Sequence, residues 1–374
     1  MSKKELVGLS DRDGLPFTEV AGFSVRCIAS NVRVKNIPWH NFHAISGIGH
    51  EGNLVLGKVT SIGARHEMEY LYGEEIVDLP LQTGDLIVGV VANRHSGTSE
   101  YGDIPSDGLK VLEGGEVDLI AAGGIISRCL GVPKYLGNAP TEVKAVGLLA
   151  YPDGNLVDLR DFYPPWETEL LPSAPLVLSL GTAAEIGKTT TAGEIIKELR
   201  NQGVERVAAT KLAGTGRKRD ITTLAKTGAE IAFDFPDVGL PTTYTSAERF
   251  IPATYTLLNK INRGTPQIIV AECGGDIIEG NIPTILTDPT IMKHVVAIIH
   301  SSTDALSIMG SLVIYEKWGI LEKIPLYLTY PIKRNYFAIK ARLKELNIKF
   351  PIFDPLNPEE ISETVRNLLQ SSAR

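Results

Sequence analysis

Ten residues in the middle of the chain constrain it more than any others. Gly181-Thr182-Ala183-Ala184-Glu185-Ile186-Gly187-Lys188-Thr189-Thr190 lies between an apolar run at 176–180 and a stretch of helical period at 191–200. A strand, a loop of small residues ending Gly-Lys-Thr and a helix form the setting in which backbone N–H groups wrap a phosphate at a helix N-terminus. In that setting Lys188 neutralises the β- and γ-phosphates of a nucleotide and the Thr189 hydroxyl ligates Mg2+. The amides of Gly181, Thr182, Ala184, Glu185, Ile186, Gly187 and Thr190 complete the cradle. Counted from Gly181, the loop is one residue longer than GxxxxGK[ST]. The same residues also allow a plainer reading, a glycine-rich helix cap beside a solvated lysine.

The flanking pattern sets the fold around this loop. Short apolar runs at 176–180, 204–210, 267–271, 295–299 and 324–328 alternate with segments of helical period. Runs that are apolar on both faces and separated by helices predict a doubly wound α/β domain with a parallel sheet. The chain before it reads differently, with β-rich runs at 23–29, 54–62, 86–91 and 142–159, the last broken by the turn Pro152-Asp153-Gly154-Asn155. Residues 117–130 are apolar enough to predict a buried helix, although Gly123-Gly124 interrupts it. Between the two halves, residues 163–175 hold four prolines in thirteen positions, and proline restricts both itself and the residue before it. The expected organisation is a β-rich N-terminal domain at 1–165 that recognises substrate, a Pro-rich linker at 166–175 and the phosphate-binding domain at 176–374.

With 374 residues, the chain has room for two or three domains. Its 37 Lys and Arg against 44 Asp and Glu leave a net charge of −7. A mildly acidic chain lacks the global field for non-specific binding to nucleic acid or to an anionic membrane. Cys27, Cys129 and Cys273 are widely spaced and form no CxxC, which argues against a disulfide framework or a zinc knuckle and suits a reducing compartment. The stretch MSKKELVGLSDRDG lacks an apolar core of the kind a signal peptide needs, and no window reaches the ~18 consecutive apolar residues that span a bilayer. A cytoplasmic location is expected.

GTAAEIGKTT resembles the GTDTEVGKT loop of dethiobiotin synthetase and its P-loop relatives, which share the extra residue. The likeness continues downstream over roughly residues 175–370. The run 204–210 ends in Lys211, where that family has a lysine that holds the substrate carboxylate or carbamate near the γ-phosphate. Asp220 opens DITTL, similar to the family's DALAL, whose aspartate helps bind Mg2+; Glu272-Cys273-Gly274-Gly275 is close to EGAGG, whose glutamate is a further metal ligand. Three features depart from the pattern: Ala183-Ala184 replace an Asp-Thr pair, LAGTG follows Lys211 in place of Pro-Val, and ECGGD is one residue short. The resemblance therefore implies ATP and Mg2+ and leaves the substrate open. It also implies a homodimer. A second group is similar in architecture: bacterial proteins related to D-glutamate N-acetyltransferases, in which an N-terminal domain precedes a P-loop domain.

From the residues alone, an acid at the end of a strand neighbouring the loop's own strand reaches the metal, which selects Glu272. Lys211 reads also as a surface lysine at a strand end, and Asp220 as the N-cap of the helix beginning at Ile221. Arg217, Lys218 and Arg219 lie in a glycine-containing loop expected over the phosphates, where they would stabilise transferred charge, or else form a solvated charge run. Weaker signals stand elsewhere. His40, His43 and His50-Glu51 have spacings that would let them converge on a metal, Asn93–Ser99 forms a polar loop suited to substrate recognition or to a solvated hairpin, and Thr329-Tyr330-Pro331 falls where an adenine would be walled. Gly47–Gly52 matches GxGxxG, but the adjoining NLVLGKVTSIG alternates like a strand and opens no helix, so no dinucleotide site is expected.

The sequence thus predicts an ATP- and Mg2+-dependent ligase or kinase that activates a small acidic substrate, with GTP not excluded and a small amine as possible acceptor. Lys188, Lys211 and Glu272 would be catalytic; Thr189, Glu272 and Asp220 would hold the metal. Two alternatives stand beside it: an N-acyltransferase whose loop holds the phosphates of coenzyme A, and a nucleotide-driven switch.

Overall fold

The computed structural model describes residues 14–73, 75–330 and 335–372. The chain divides into two compact units. The first comprises the N-terminal part to Pro165 together with Thr215–Lys218 and Pro236–Tyr244; the second comprises Trp166–Gly214, Arg219–Phe235 and Thr245 onward. Pro331 and the first thirteen residues, with most of the charged N-terminal stretch, lie outside the described residues.

In the first unit, β1 (Leu54–Ser61), β2 (Glu67–Tyr72), β3 (Glu75–Pro80), β4 (Leu86–Val91), β5 (Glu116–Leu119), β6 (Ile125–Gly131) and β7 (Thr141–Ala150) supply the framework. Strand β1 pairs antiparallel with β4 and with β7, β7 with β5, and β5 with β6. A parallel pairing of β6 with β4 then closes a ring of five strands. Closure leaves these strands no edge open to another chain. The unit's larger buried apolar cluster includes Leu54, Leu56, Val88, Val90, Leu119, Ile126, Val143 and Leu148. The turn after β7 forms at 152–155, with Gly154 at φ +87° and the Asn155 carbonyl accepting from the Tyr151 N–H at 2.9 Å.

The helix expected at 117–130 is instead the pair β5 and β6, joined by a tight turn in which the Gly124 N–H meets the Ala121 carbonyl at 2.9 Å. Gly124 has φ +90°, which L-residues avoid, and a Cβ there would lie 2.3 Å from the Ala29 Cβ. Gly123 is equally constrained, for its Cβ would fall 2.1 Å from the Gly216 carbonyl oxygen. The two glycines are thus turn and close-approach residues, and the β-branched Ile125-Ile126 that follow belong to a strand.

The basic loop is also placed differently from expectation. Arg217 belongs to the first unit, where its guanidinium meets Asp78 at 3.0 Å and Glu67 and Glu69 at 3.5 Å. The Glu69 carboxylate, fully buried, also accepts from the Lys218 N–H at 2.6 Å, and the Lys218 ammonium stands 3.6 Å from Asp237. Three carboxylates on the hairpin β2–β3 claim the charge that the sequence suggested for a phosphate.

The second unit is a six-stranded sheet, parallel throughout. Its members are β8 (Leu176–Gly181), β9 (Val207–Ala213), β10 (Ile231–Asp234), β11 (Ile268–Cys273), β12 (Val295–Ser301) and β13 (Leu326–Thr329), in the order β10-β9-β11-β8-β12-β13. Strands β8, β9 and β11 are buried at every position, as strands covered on both faces must be. The helix α1 (Lys188–Asn201) packs Ala192, Ile195, Ile196 and Leu199 against Val177, Val207, Val270 and Ile299, with Val365 and Leu368 of the C-terminal helix beside them. The chain leaves β8 outward to β9 and β10, returns to β11, and only then crosses to β12 and β13. Order therefore reverses at β8, and the crevice outside the carboxyl ends of the strands at such a point is where an open α/β sheet takes its ligand.

Gly124→Ala should cost the first unit about 3 kcal/mol or more, because a Cβ meets backbone in a left-handed conformation. Gly154→Ala, where nothing lies within 4 Å of the added Cβ, should cost only about 1 kcal/mol. Denaturant titrations of the two variants followed by circular dichroism check the contrast.

Candidate nucleotide site

The loop after β8 is shaped by two left-handed residues, Glu185 at φ +59° and Gly187 at φ +91°. Gly187 is the N-cap of α1, so the helix starts at Lys188, three residues earlier than the sequence suggests, and Lys188, Thr189 and Thr190 form its first turn. The N–H groups of a first turn have no partner within the helix and carry the positive end of its dipole. Gly181 admits no side chain: a Cβ would lie 2.6 Å from Ile186 Cδ1 and 2.8 Å from the Ser301 carbonyl. Across the crevice, the Thr303 N–H approaches the Thr182 hydroxyl at 3.4 Å, tying the end of β12 to the loop.

Lys188 is buried, and its ammonium donates to the Ala183 carbonyl and, at 2.8 Å, to the Gly275 carbonyl. Burial lowers its pKa, with Glu272 opposing that shift. Register places Glu272 beside Ser179 of β8 and beside Lys211 of β9. One Glu272 carboxylate oxygen accepts from the Thr189 hydroxyl at 2.8 Å, while the other, Oε2, is buried without a hydrogen-bond partner. Burial raises the Glu272 pKa; Lys211 pulls the other way. An unsatisfied carboxylate oxygen beside a helix-borne hydroxyl is the donor set a hard divalent cation takes, so these residues fit Mg2+.

Lys211 ends up inside the protein, not on the surface. Its ammonium pairs with Asp220, which stands within the first turn of α2 (Lys218–Ala225) and not ahead of it. Burial alone would lower the Lys211 pKa, but Asp220, Glu272 and Asp234 together raise it. Asp234, fully buried at the end of β10, is a member of this charge cluster that sequence reading missed. Its register opposite Lys211 was the available signal, but pairing of those strands is not written in either one alone. Gly214 and Gly274 line the same place, each with a hypothetical Cβ within 3.4 Å of Lys211 Cε.

The structure therefore brings Lys188, Thr189, Glu272, Lys211 and Asp220 to the carboxyl ends of β8, β9 and β11. Below them His300 is fully buried, with Nδ1 at 2.9 Å from the Tyr315 hydroxyl and a pKa lowered to about 3 by burial and by Lys188. Cys273 is buried too, its thiol pushed up to about 12, so it offers no thiolate. Tyr330 is buried and stacks on Tyr336 with centroids 4.8 Å apart.

Other sequence candidates fall outside this site. Among the described residues no group of three or more His, Cys, Asp or Glu side chains is placed to hold a metal ion, so His40, His43 and His50-Glu51 do not converge. In the loop 93–99, Arg94 binds the buried Glu100 at 2.7 Å and Asn93 receives the Ile104 N–H at 2.7 Å; His95 meets Asp103 at 2.5 Å and stacks on Tyr101. These contacts hold the loop to its own unit. No described helix is long and apolar enough to cross a membrane.

Strand order, loop and helix make the second unit a P-loop nucleotide-binding fold of the doubly wound α/β class. No protein-family model and no curated protein matches the chain. Among solved structures it is similar to a ParA family ATPase from Chlorobium tepidum, with 11% identity over 54% of this chain and 94% of that one and a TM-score of 0.32. The cell division protein FtsY from Thermotoga maritima is 17% identical over 55% of this chain and 74% of its own, with a TM-score of 0.32. HypB from Helicobacter pylori is 15% identical over 54% and 88%, with a TM-score of 0.30. The class rests on the sheet topology and the loop themselves.

His300 stays neutral in the fold, while an unfolded histidine, with its ordinary value of 6.5, protonates first. Its contribution to stability is present above that value and is lost as pH falls toward about 3, on the order of 5 kcal/mol in all. His300→Gln, compared with wild type in thermal denaturation across that window, should show the shallower loss.

Proposed function

We propose that the second unit binds a nucleoside triphosphate with Mg2+ and transfers or releases its γ-phosphoryl group. The unpartnered Glu272 Oε2, beside the Thr189 hydroxyl at the first turn of α1, carries this reading. Bound there, Mg2+ would neutralise charge on the phosphate oxygens and orient them. The loop amides and the α1 N-terminus would hold the phosphates, and Lys188 would exchange two carbonyl partners for phosphate oxygens. Lys211, kept cationic by Asp220, Glu272 and Asp234, would hold an anionic acceptor or the migrating charge. Positioning and charge stabilisation suffice for this chemistry, and no nucleophilic side chain is required.

The acceptor we favour is a small carboxylate or carbamate, in line with the resemblance of GTAAEIGKTT, Lys211 and ECGG to dethiobiotin synthetase-like enzymes; ATP is the nucleotide that resemblance implies. One observation favours a second reading, a nucleotide-driven switch. Lys188 is bonded to the Gly275 carbonyl in the strand-end loop after β11, so capture of a phosphate by Lys188 would free that loop.

A thermal-shift panel of ATP, GTP, ADP and acetyl-CoA with and without Mg2+ tests the proposal. A nucleotide at a hundred times its Kd should stabilise the protein by about 2.7 kcal/mol. Lys188→Met should abolish the shift without weakening the free protein, because a desolvated cation is removed. A shift with acetyl-CoA alone would overturn the nucleotide reading in favour of an acyltransferase.

Glu272→Gln should keep nucleotide binding, lose its Mg2+-dependent increment and lower phosphate release by about 100-fold or more. Lys211→Met should lower kcat by a similar factor with little change in the KM for nucleotide. If phosphate release in the wild type rises with none of a panel of small carboxylates and amines, the switch reading replaces the ligase one.

A further inference from the structure

The hairpin of β5 and β6 has two unlike faces. Val117 and Leu119 of β5 and Ile126 of β6 belong to the larger apolar cluster of the first unit. Side chains alternate along a strand, so Glu116 and Asp118, with Ser127 and Cys129, take the opposite face. Asp118 stands directly across from Ser127 in the antiparallel register. All four line a cavity of about 530 Å3, within the ~300–1,000 Å3 typical of small-molecule sites. Pro105 and Leu109 give it an apolar wall.

Two observations point to an occupant. Ser127 is fully buried, and among the described residues its hydroxyl has no hydrogen-bond partner. Buried hydroxyls are as a rule paired, because desolvating one without a new bond is costly. The second observation is the sign of the charge. Asp118 accepts the Cys129 N–H at 2.8 Å through Oδ2, which fixes its carboxylate on the cavity floor. Burial raises the Asp118 pKa; the Cys129 N–H and Arg128 oppose that shift, while Glu142 and Glu116 add to it. At the rim, the Lys110 ammonium is already answered by Asp107 at 3.6 Å. The floor therefore favours a cation. Among the described residues no group of three or more His, Cys, Asp or Glu side chains is placed to hold a metal ion, so the cation that fits is organic.

We infer that this cavity binds a small primary amine as its ammonium. An alkylammonium has three N–H donors and no acceptor, and the floor supplies three acceptors: the Asp118 and Glu116 carboxylates and the Ser127 hydroxyl oxygen. Hydrogen bonds between charged partners are the strong ones. The wall of Pro105 and Leu109 suits a short alkyl chain. Every residue of the site belongs to the first unit, so the inference does not rest on the nucleotide reading.

Isothermal titration calorimetry of the full chain with butylammonium tests this, with butanol and butyrate as neutral and anionic chains of equal length. Butylammonium should bind one to one with a Kd of about 1 mM or tighter, and at least about 10-fold more tightly than either control. Asp118→Asn keeps an acceptor for the Cys129 N–H and should weaken butylammonium by about 30-fold or more. Ser127→Ala should weaken it by about 10-fold without lowering the melting temperature, since the hydroxyl removed bonds nothing in the free protein. Lys188→Met, in the second unit, should bind butylammonium as wild type does. A wild type that binds no butylammonium overturns the inference, as does one that takes butanol or butyrate equally well. So does an affinity that survives both Asp118→Asn and Ser127→Ala, or one lost in Lys188→Met, which would place the amine at the phosphate loop.

Discussion

Two lysines and a buried carboxylate share the ends of three parallel strands, and the second unit is organised around that charge cluster. Glu272 is buried at 5% exposure beside Thr189, and its pKa is raised by burial while Lys211 and Lys188 draw it down. Neither lysine could be buried so close to the other without acids between them. Asp220 reaches Lys211 from the first turn of α2, and Asp234 adds its field from the next strand. Such an arrangement stores unfavourable desolvation in the free protein, as sites built for a charged ligand do.

The connections around this cluster have a second role. The chain between Lys211 and Asp220 contains Thr215–Lys218, and the chain after Asp234 contains Pro236–Tyr244; both segments belong to the first unit. Arg217 is fixed there by Glu67, Glu69 and Asp78; the Gly216 carbonyl leaves no room for a side chain on Gly123, and Asn31 and Pro236 leave none for one on Gly216. Residues close in sequence to Lys211 thus serve the fold of the β-rich unit. That is a physical reason for a long glycine-containing loop where a shorter connection would satisfy the sheet.

Much of this was legible in the sequence. The loop 181–190 announces itself because phosphate binding needs small residues, a lysine and a hydroxyl at fixed spacing, and these are local requirements. The parallel sheet was legible because strands covered on both faces must be apolar throughout. The turn at 152–155 was legible because proline, glycine and asparagine encode its backbone directly. Residues 117–130 misled because apolar content does not separate a buried helix from two buried strands, and the Gly123-Gly124 turn depends on the proximity of Ala29 and Gly216. Arg217 misled for a related reason, since its partner Asp78 stands about 140 residues earlier in the chain.

By itself, then, the sequence determined the phosphate loop, the helix behind it and the alternation that makes a doubly wound sheet, all properties of neighbouring residues. Tertiary structure alone decided that Lys211 is buried against Asp220, that Asp234 joins them and that one oxygen of Glu272 is left without a partner. It also decided that the five strands of the first unit close through the parallel pairing of β4 with β6. These outcomes depend on which strands lie side by side and on which charges share a desolvated space. Both are set by packing between segments far apart in the chain, which no local pattern of residues encodes.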